Sequence, residues 1–90
     1  MTVARQVLIA NRRGLHARAS AKFVTLAATQ PCEVKVEKEP GSAVTGTSIM
    51  GLMMLGAAMG DTITISATGD GADAAVAALC DLVEAKFGED

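Results

Sequence analysis

Two short segments alternate apolar and polar residues so regularly that each is typical of a β-strand with one buried face. In residues 32–37, CEVKVE, the alternating partners are charged, and in Thr62–Thr68, TITISAT, they carry hydroxyl groups. Because successive side chains of a strand point to opposite faces of a sheet, each segment leaves one face in water. The pattern therefore predicts an antiparallel or mixed sheet with helices on one face.

Two further strands complete the predicted sheet. Residues 3–9 mix β-branched and polar side chains and stop at Asn11, which indicates a first strand. The turn residues EPGS follow the strand at 32–37, and the short β-compatible segment 42–47 then predicts a hairpin, although Gly46 weakens its second strand. The sheet is therefore expected to have four strands.

Apolar residues recur at helical spacing in three other segments. Residues 17–29 carry one narrow apolar stripe that ends at the dipeptide QP, which predicts a first helix. The segment SIMGLMML, residues 48–55, predicts a short second helix with Ser48 as its N-cap, and a third helix is expected over residues 72–86, with Gly88 as its stop. The stripes are Ala19, Phe23, Leu26 and Ala27 in the first helix and Ala72, Val76, Leu79 and Val83 in the third.

The order of these elements, β-α-β-β-α-β-α, predicts an α+β open-faced sandwich. The 90 residues fit a single domain, 1–90, whose core consists of small aliphatic side chains, because only Phe23 and Phe87 are aromatic. Eight Lys and Arg against ten Asp and Glu give a net charge of -2, which does not favour nucleic acid as a partner. No segment approaches the ~20 apolar residues of a membrane span, so we expect a cytoplasmic protein with no membrane contact.

The two cysteines and the glycine pattern give no sign of a cofactor. Cys32 and Cys80 lie far apart on apolar positions, and neither has a CxxC partner or a nearby histidine. We therefore expect buried, reduced thiols in place of a disulfide or a zinc site. Neither GxxxxGK[ST] nor GxGxxG follows a strand, so nucleotide binding has no motif behind it, and we expect no cofactor and no metal.

The only histidine, His16, lies in NRRGLHARAS, where the pattern changes from strand to helix. A helix N-terminus attracts anions, because its first backbone N–H groups are unpaired and the helix dipole is positive there. Gly14 lets the backbone turn sharply and approach a ligand, and Arg13 and Arg18 can form charge-assisted bonds to a phosphate. The positive surroundings disfavour a charge on the ring, which leaves a nucleophile that a phosphoryl group could modify.

Other roles for His16 lack partners in the sequence. The simplest alternative is a surface histidine near a helix N-terminus, which position alone does not exclude. A hydrolytic triad needs an orienting acid, but no Asp or Glu occurs between Thr2 and Pro31, although Ser20 lies one helical turn away. A metal site needs at least two more ligands of matching type, and only scattered carboxylates and two cysteines remain.

Two separated motifs, GLHAR at residues 14–18 and SIMGLMML at 48–55, make the chain resemble the HPr family, the histidine-containing phosphocarriers of the bacterial phosphotransferase system. The resemblance covers nearly the whole chain and includes DTITISATG. It implies a four-stranded antiparallel sheet with three helices on one face. It also implies that His16 accepts a phosphoryl group on Nδ1 from phosphorylated enzyme I and passes it to an enzyme IIA domain, so that the chain is a carrier and not an enzyme.

Further site residues follow from the resemblance. Arg18 matches the arginine that steadies the phosphoryl group, with Gly14 and Ala17 supporting the phosphate beside it. Ser48 matches the serine that an HPr kinase/phosphorylase modifies in some lineages. Ala19 stands where many members carry proline, and this departure leaves both the sugar-uptake branch and the nitrogen-related regulatory branch open.

The apolar run of the second predicted helix has two sides. Leu52 and Leu55 are expected to face the core. Ile49, Met50 and Met53 form another set at helical spacing, and exposed Met-rich surfaces suit proteins that bind several partners. Since the resembling family docks its partners in this region, we expect these three residues to form a docking surface on a monomeric carrier.

Two rival interpretations remain open at this stage. The first is a regulatory HPr-like protein that acts mainly through phosphorylation of Ser48 and partner binding, against which the presence of His16 argues. The second is a small-ligand or metal-binding α+β module, against which the absence of a ligand cluster argues.

Overall fold

The computed structural model describes residues 1–89, and a four-stranded antiparallel sheet with helices on one face is its framework. In chain order the elements are β1 (Thr2–Leu8), α1 (Ala17–Ala28), β2 (Glu33–Glu37), β3 (Val44–Thr45), α2 (Ile49–Met54), β4 (Thr62–Thr68) and α3 (Ala72–Glu84). The strand order in the sheet is β1-β4-β2-β3, and all neighbouring strands are antiparallel. The predicted open-faced sandwich is confirmed. Asp90, the last residue of the predicted domain, lies outside the described residues.

The alternating segments determine which face of the sheet the helices cover. On β4 the side chains of Ile63, Ile65 and Ala67 are buried, whereas the hydroxyl-bearing residues of this strand lie on the other face. Val34 and Val36 of β2 are buried beside them, opposite Ala67 and Ile65 in the register. The two central strands thus present one continuous apolar surface to the helices.

Helices α1 and α3 pack on this surface through the predicted stripes. Phe23 is fully buried in the middle of α1, and burial of such a side chain contributes about 1.5–3 kcal/mol. Leu26 is only half-buried. Helix α2 is short and contributes Leu52 to the core. Among residues 1–89, no helix has the length and apolar character needed to cross a bilayer.

Some boundaries and burial differ from the predictions at the ends of elements. Strand β3 has only two residues and ends before Gly46. The Val34 side chain lies against this glycine, where a Cβ would come within 2.7 Å of Val34 Cγ1. Cys32 is half-buried because it precedes β2, whereas Cys80 is buried as predicted, and burial raises the pKa of its thiol. Leu55, which follows the last turn of α2, is half-buried and packs against the core on the predicted side.

The chain leaves α3 through a left-handed turn that the sequence did not predict. The helix ends at Glu84, and Lys86, Phe87 and Gly88 have φ angles of 59°, 55° and 77°. Two of these residues carry a Cβ, so the turn is strained and needs tertiary contacts to hold it. Phe87 is buried, and Lys22 Nζ donates a hydrogen bond to its carbonyl oxygen at 2.7 Å. The turn directs the following residue, Glu89, toward the beginning of α1.

Candidate functional site

His16 is the N-cap residue of α1. Its backbone is extended, with φ -73° and ψ 177°, and its ring Nδ1 accepts a hydrogen bond from the backbone N–H of Arg18 at 3.2 Å. The imidazole nitrogen thus takes the capping role that Ser, Thr, Asp or Asn oxygen atoms usually have. Because Nδ1 accepts this bond, it carries a lone pair and no proton. The nitrogen lies at the positive end of the helix dipole.

The other ring nitrogen of His16 contacts the carboxylate of Glu89. Nε2 lies 2.9 Å from Oε1 and 3.1 Å from Oε2, and Asn11 Nδ2 donates a hydrogen bond to Oε1 at 2.8 Å. The bonds from Asn11 and then from His16 hold the pKa of the Glu89 carboxyl below its ordinary value. An ionised carboxylate only accepts hydrogen bonds, so these contacts assign the ring proton to Nε2.

Glu89 is not among the site residues predicted from the sequence. The segment around His16 contains no Asp or Glu, and Glu89 lies 73 residues further along the chain. No local signal marks this residue, because its placement depends on the left-handed turn after α3. The added carboxylate does not make a hydrolytic triad, since Ser20 is buried and its hydroxyl donates to the carbonyl oxygen of Leu15 at 3.2 Å.

The loop before His16 is fixed by Asn11 and Gly14. The buried Asn11 side chain donates through Nδ2 to the Gly14 carbonyl oxygen at 2.8 Å. Gly14 has a φ of +63°, and a Cβ at this position would collide with the carbonyl oxygen of Ala57 and lie 2.8 Å from Ala58 Cα. The structure shows a close approach of Gly14 to the segment that follows α2, and the predicted approach to a ligand stays a prediction. The neighbouring Leu15 N–H donates to the same Ala57 carbonyl at 3.0 Å.

Three arginines surround the exposed side of the site. Arg12, Arg13 and Arg18 line, together with Glu89, a shallow depression of about 270 Å³. Arg12 adds a third guanidinium group to the two that the sequence analysis selected, and such groups match the geometry of phosphate oxygens. Ala17 is exposed in the first turn of α1, where backbone N–H groups have no partner within the helix. Three guanidinium groups against one carboxylate leave the lining of the depression positive, which suits an anion.

Ser48 is the N-cap of α2, as the sequence predicted. Its Oγ accepts a hydrogen bond from the Gly51 N–H at 3.0 Å. The side chain satisfies one of the unpaired donors at the start of this helix, which is a structural role that requires no modification.

Five exposed apolar side chains in α2 and the segment after it are here together called the methionine surface: Ile49, Met50, Met53, Met54 and Met59. The first three, which the sequence predicted, are 40%, 70% and 43% exposed, and the other two, which it did not, are 80% and 57% exposed. Helix α2 packs beside α1, and the loop before His16 contacts Ala57 and Ala58 in the segment that follows α2. Apolar areas of this kind commonly bind other proteins.

The residues that the structure describes, 1–89, include no group of three or more His, Cys, Asp or Glu side chains able to hold a metal ion. The site thus consists of one imidazole with a carboxylate on one nitrogen, a helix N-terminus at the other, and three arginines around them. Such an arrangement can hold an anionic group next to a nucleophilic nitrogen.

Comparison with known proteins gives a consistent set of matches. A family model described as "PTS HPr component phosphorylation site" matches residues 3–85. The phosphocarrier protein HPr of Pseudomonas aeruginosa is 44% identical over 84 residues, which cover 93% of each chain. The phosphocarrier protein NPr of Shewanella violacea is 47% identical over 88 residues, covering 94% of this chain and 92% of its own. The crystal structure of HPr-C-His from Thermoanaerobacter tengcongensis has a TM-score of 0.91 at 41% identity, with 98% of both chains covered.

Proposed function

The chain belongs to the HPr family of phosphotransferase-system phosphocarriers, and we propose that it accepts a phosphoryl group on Nδ1 of His16 from phosphorylated enzyme I and passes it to an enzyme IIA domain. Proteins of this family carry a phosphoryl group and are not catalysts. In the proposed step, the Nδ1 lone pair forms the new N–P bond while the bond from phosphorus to the donor breaks. The electron pair of that broken bond leaves with the donor.

The observation that carries this proposal is that the two ring nitrogens of His16 have different hydrogen-bond partners. Nε2 holds the proton and faces Glu89, whereas Nδ1 holds the lone pair at the N-terminus of α1. The Arg18 N–H that now donates to Nδ1 is released when phosphorus takes the lone pair. It can then donate to a phosphoryl oxygen, as first-turn N–H groups do in other phosphate sites.

The side chains around the ring have supporting roles in this proposal. Arg18 steadies the phosphoryl oxygens through charge-assisted hydrogen bonds, and Arg12 and Arg13 line the same depression. Ala17 offers its backbone N–H. Gly14 acts indirectly, because its lack of a side chain lets the loop before His16 pack against the segment after α2.

The methionine surface is the proposed docking area for enzyme I and enzyme IIA. Flexible methionine side chains adapt to different partners, as a carrier that meets both donor and acceptor requires. Ser48 begins the same helix, so a phosphate placed on it by an HPr kinase/phosphorylase would add about -1.5 to -2 charges next to Ile49 and Met50. Docking would then require desolvation of a strongly hydrated group, which weakens binding.

We further propose that residues 1–90 act as one monomeric domain in the cytoplasm and need no cofactor. Similarity to relatives named HPr and NPr leaves the sugar-uptake and nitrogen-related branches equally supported. The choice of enzyme IIA separates the two branches, and phosphoryl transfer to each purified domain would identify it.

Incubation with phosphoenolpyruvate and the cognate enzyme I, followed by intact mass measurement, tests the proposed function. We expect one added phosphoryl group, in a linkage that is labile in acid and stable in base, as expected of a phosphoramidate. The His16→Ala variant should gain none. An unmodified wild-type chain, or a His16→Ala chain that is still phosphorylated, would contradict the proposal, and the former would favour a purely regulatory HPr-like protein.

A further inference from the structure

The end of the chain is folded in a way that local preferences oppose. Lys86 and Phe87 both have positive φ angles, although neither is a glycine. The buried Phe87 ring and the Lys22 hydrogen bond hold this turn against its strain. Strain of this kind persists only where the surrounding structure fixes it, and it is concentrated at functional sites. The consequence of the turn in this molecule is the position of Glu89.

The Glu89 carboxylate is fixed from two sides. Both of its oxygens lie within hydrogen-bond distance of His16 Nε2, and Asn11 donates to Oε1. The Asn11 side chain is itself fully buried and also bonded to the Gly14 carbonyl, so it cannot follow a moving partner. The carboxylate is therefore held against the ring by a rigid donor and by a rigid turn.

From this geometry we infer that Glu89 is a positioning residue for phosphoryl transfer, a role that rests on the proposed function of His16. Its carboxylate keeps the proton on Nε2 and aims Nδ1 at the incoming phosphorus. As the N–P bond forms, Nε2 retains its proton, so the ring becomes cationic opposite the negative carboxylate. When the phosphoryl group leaves for the acceptor, the N–P electron pair returns to Nδ1 and the ring is neutral again. No proton moves in either direction.

A merely structural role for Glu89 makes different predictions. If the carboxylate only fastened the end of the chain, its removal would change the free energy of unfolding and leave the transfer rate of the folded protein unaltered. If Glu89 positions the ring, removal of its carboxylate should lower the maximal transfer rate, because the contact between the carboxylate and Nε2 strengthens as positive charge develops on the ring. The KM for the carrier should not change, since Glu89 is not part of the methionine surface.

The experiment compares Glu89→Ala and Glu89→Gln with the wild type in single-turnover transfer from phosphorylated enzyme I. Alanine removes both contacts, whereas glutamine keeps the shape and an acceptor oxygen but loses the charge. We expect the maximal rate to fall about tenfold in Glu89→Ala and less in Glu89→Gln, with an unchanged KM. Glu84→Gln is the matched control, since it removes an exposed carboxylate at the end of α3 and should transfer at the native rate.

Two further measurements separate positioning from fastening. Lys22→Met removes the hydrogen bond that holds the turn, together with a positive charge near the Glu89 carboxylate, and leaves Glu89 itself in the chain. It should therefore slow transfer in the same direction, and the double variant Lys22→Met/Glu89→Ala should be no slower than Glu89→Ala alone. The His16 Hε2 proton should exchange slowly enough with water for detection by NMR in the wild type, and its signal should disappear in Glu89→Ala.

The outcomes distinguish this inference from the proposed function. A native maximal rate in Glu89→Ala, with an active wild type, overturns the role of Glu89 and leaves the function of His16 intact. Additive losses in the double variant, or a KM effect alone, also overturn it. A wild-type protein that accepts no phosphoryl group overturns the proposed function itself, whatever the Hε2 signal shows.

Discussion

Replacement of Gly14 by alanine should destabilise the protein by about 2–5 kcal/mol, in two parts that the structure separates. The φ angle of +63° is unfavourable for a residue with a Cβ, by about 1–2 kcal/mol. The new methyl group would also lie 2.8 Å from Ala58 Cα and collide with the Ala57 carbonyl oxygen. Overpacking of this kind typically costs about 1–3 kcal/mol.

The atoms that meet this methyl group cannot easily move away. They are backbone atoms of a segment held by Asp61, whose Oδ2 accepts from the Ala58 N–H at 2.8 Å and lies 3.2 Å from Lys38 Nζ. The same two contacts, Ala58 first and Lys38 second, lower the pKa of Asp61, because they favour its ionised carboxylate. We therefore expect the strain to remain in the folded state and to displace His16 as well.

Gly56→Ala is the matched control, because Gly56 has a φ of +65° and its new methyl group would meet no neighbouring atom within 4 Å. It should lose only the backbone part, about 1–2 kcal/mol. Urea unfolding followed by circular dichroism measures both variants, provided that the m-values agree. A Gly14→Ala variant within about 0.5 kcal/mol of Gly56→Ala would refute the close approach and the rigidity assigned to this loop.

Three other predictions concern the charges and caps of the site. Arg18→Lys should lower the transfer rate about tenfold without changing the free energy of unfolding, because lysine cannot bind two phosphoryl oxygens in the bidentate geometry of a guanidinium group. A native rate in single-turnover kinetics would show that Arg18 is an ordinary surface charge. Ser48→Ala should cost about 1 kcal/mol through loss of the α2 cap. Ser48→Asp should keep the cap and raise the KM for the carrier in the enzyme I reaction, and Met50→Glu should raise it too. An unaltered KM in Ser48→Asp would leave Ser48 a structural cap alone. Because the folded-state pKa of Glu89 is depressed, its contribution to stability is complete above the unfolded-state value and is lost as the pH falls through the folded value. Unfolding measured across the acidic range should show a smaller acid-induced loss of stability in Glu89→Gln than in the wild type, and equal losses would contradict the contacts with Asn11 and His16.

The architecture follows from local patterns that the sequence displays directly. The alternation of apolar and polar residues in β4 and β2 determines which strand side chains face the helices. The helical spacing of apolar residues around Phe23 and Val76 determines which faces of α1 and α3 pack on the sheet. Cys32 is less buried than predicted because it precedes β2, where periodicity no longer determines the direction of a side chain. Leu26 and Leu55 are half-buried and pack against the core on the predicted side.

The part of the site that could not be predicted depends on distant contacts. His16 and the Ser48 cap were identifiable because a glycine, a helix start and a capping residue adjoin in the sequence. Glu89 was not identifiable, since Lys86 and Phe87 adopt a backbone conformation that their residue types disfavour. Only the burial of Phe87 and the bonds of Lys22 and Asn11, all formed across the fold, explain its position. Local preference fails here at a strained segment beside the functional site, where such failures are expected.

Identification of the atom that accepts the phosphoryl group tests the proposed role of His16 most directly. Heteronuclear NMR of the phosphorylated, ¹⁵N-labelled protein distinguishes the two ring nitrogens through their coupling to phosphorus. Because Glu89 holds the proton on Nε2 and the start of α1 faces Nδ1, we predict coupling to Nδ1 with the proton retained on Nε2. A phosphoryl group found on Nε2, or on a residue other than His16, would contradict it.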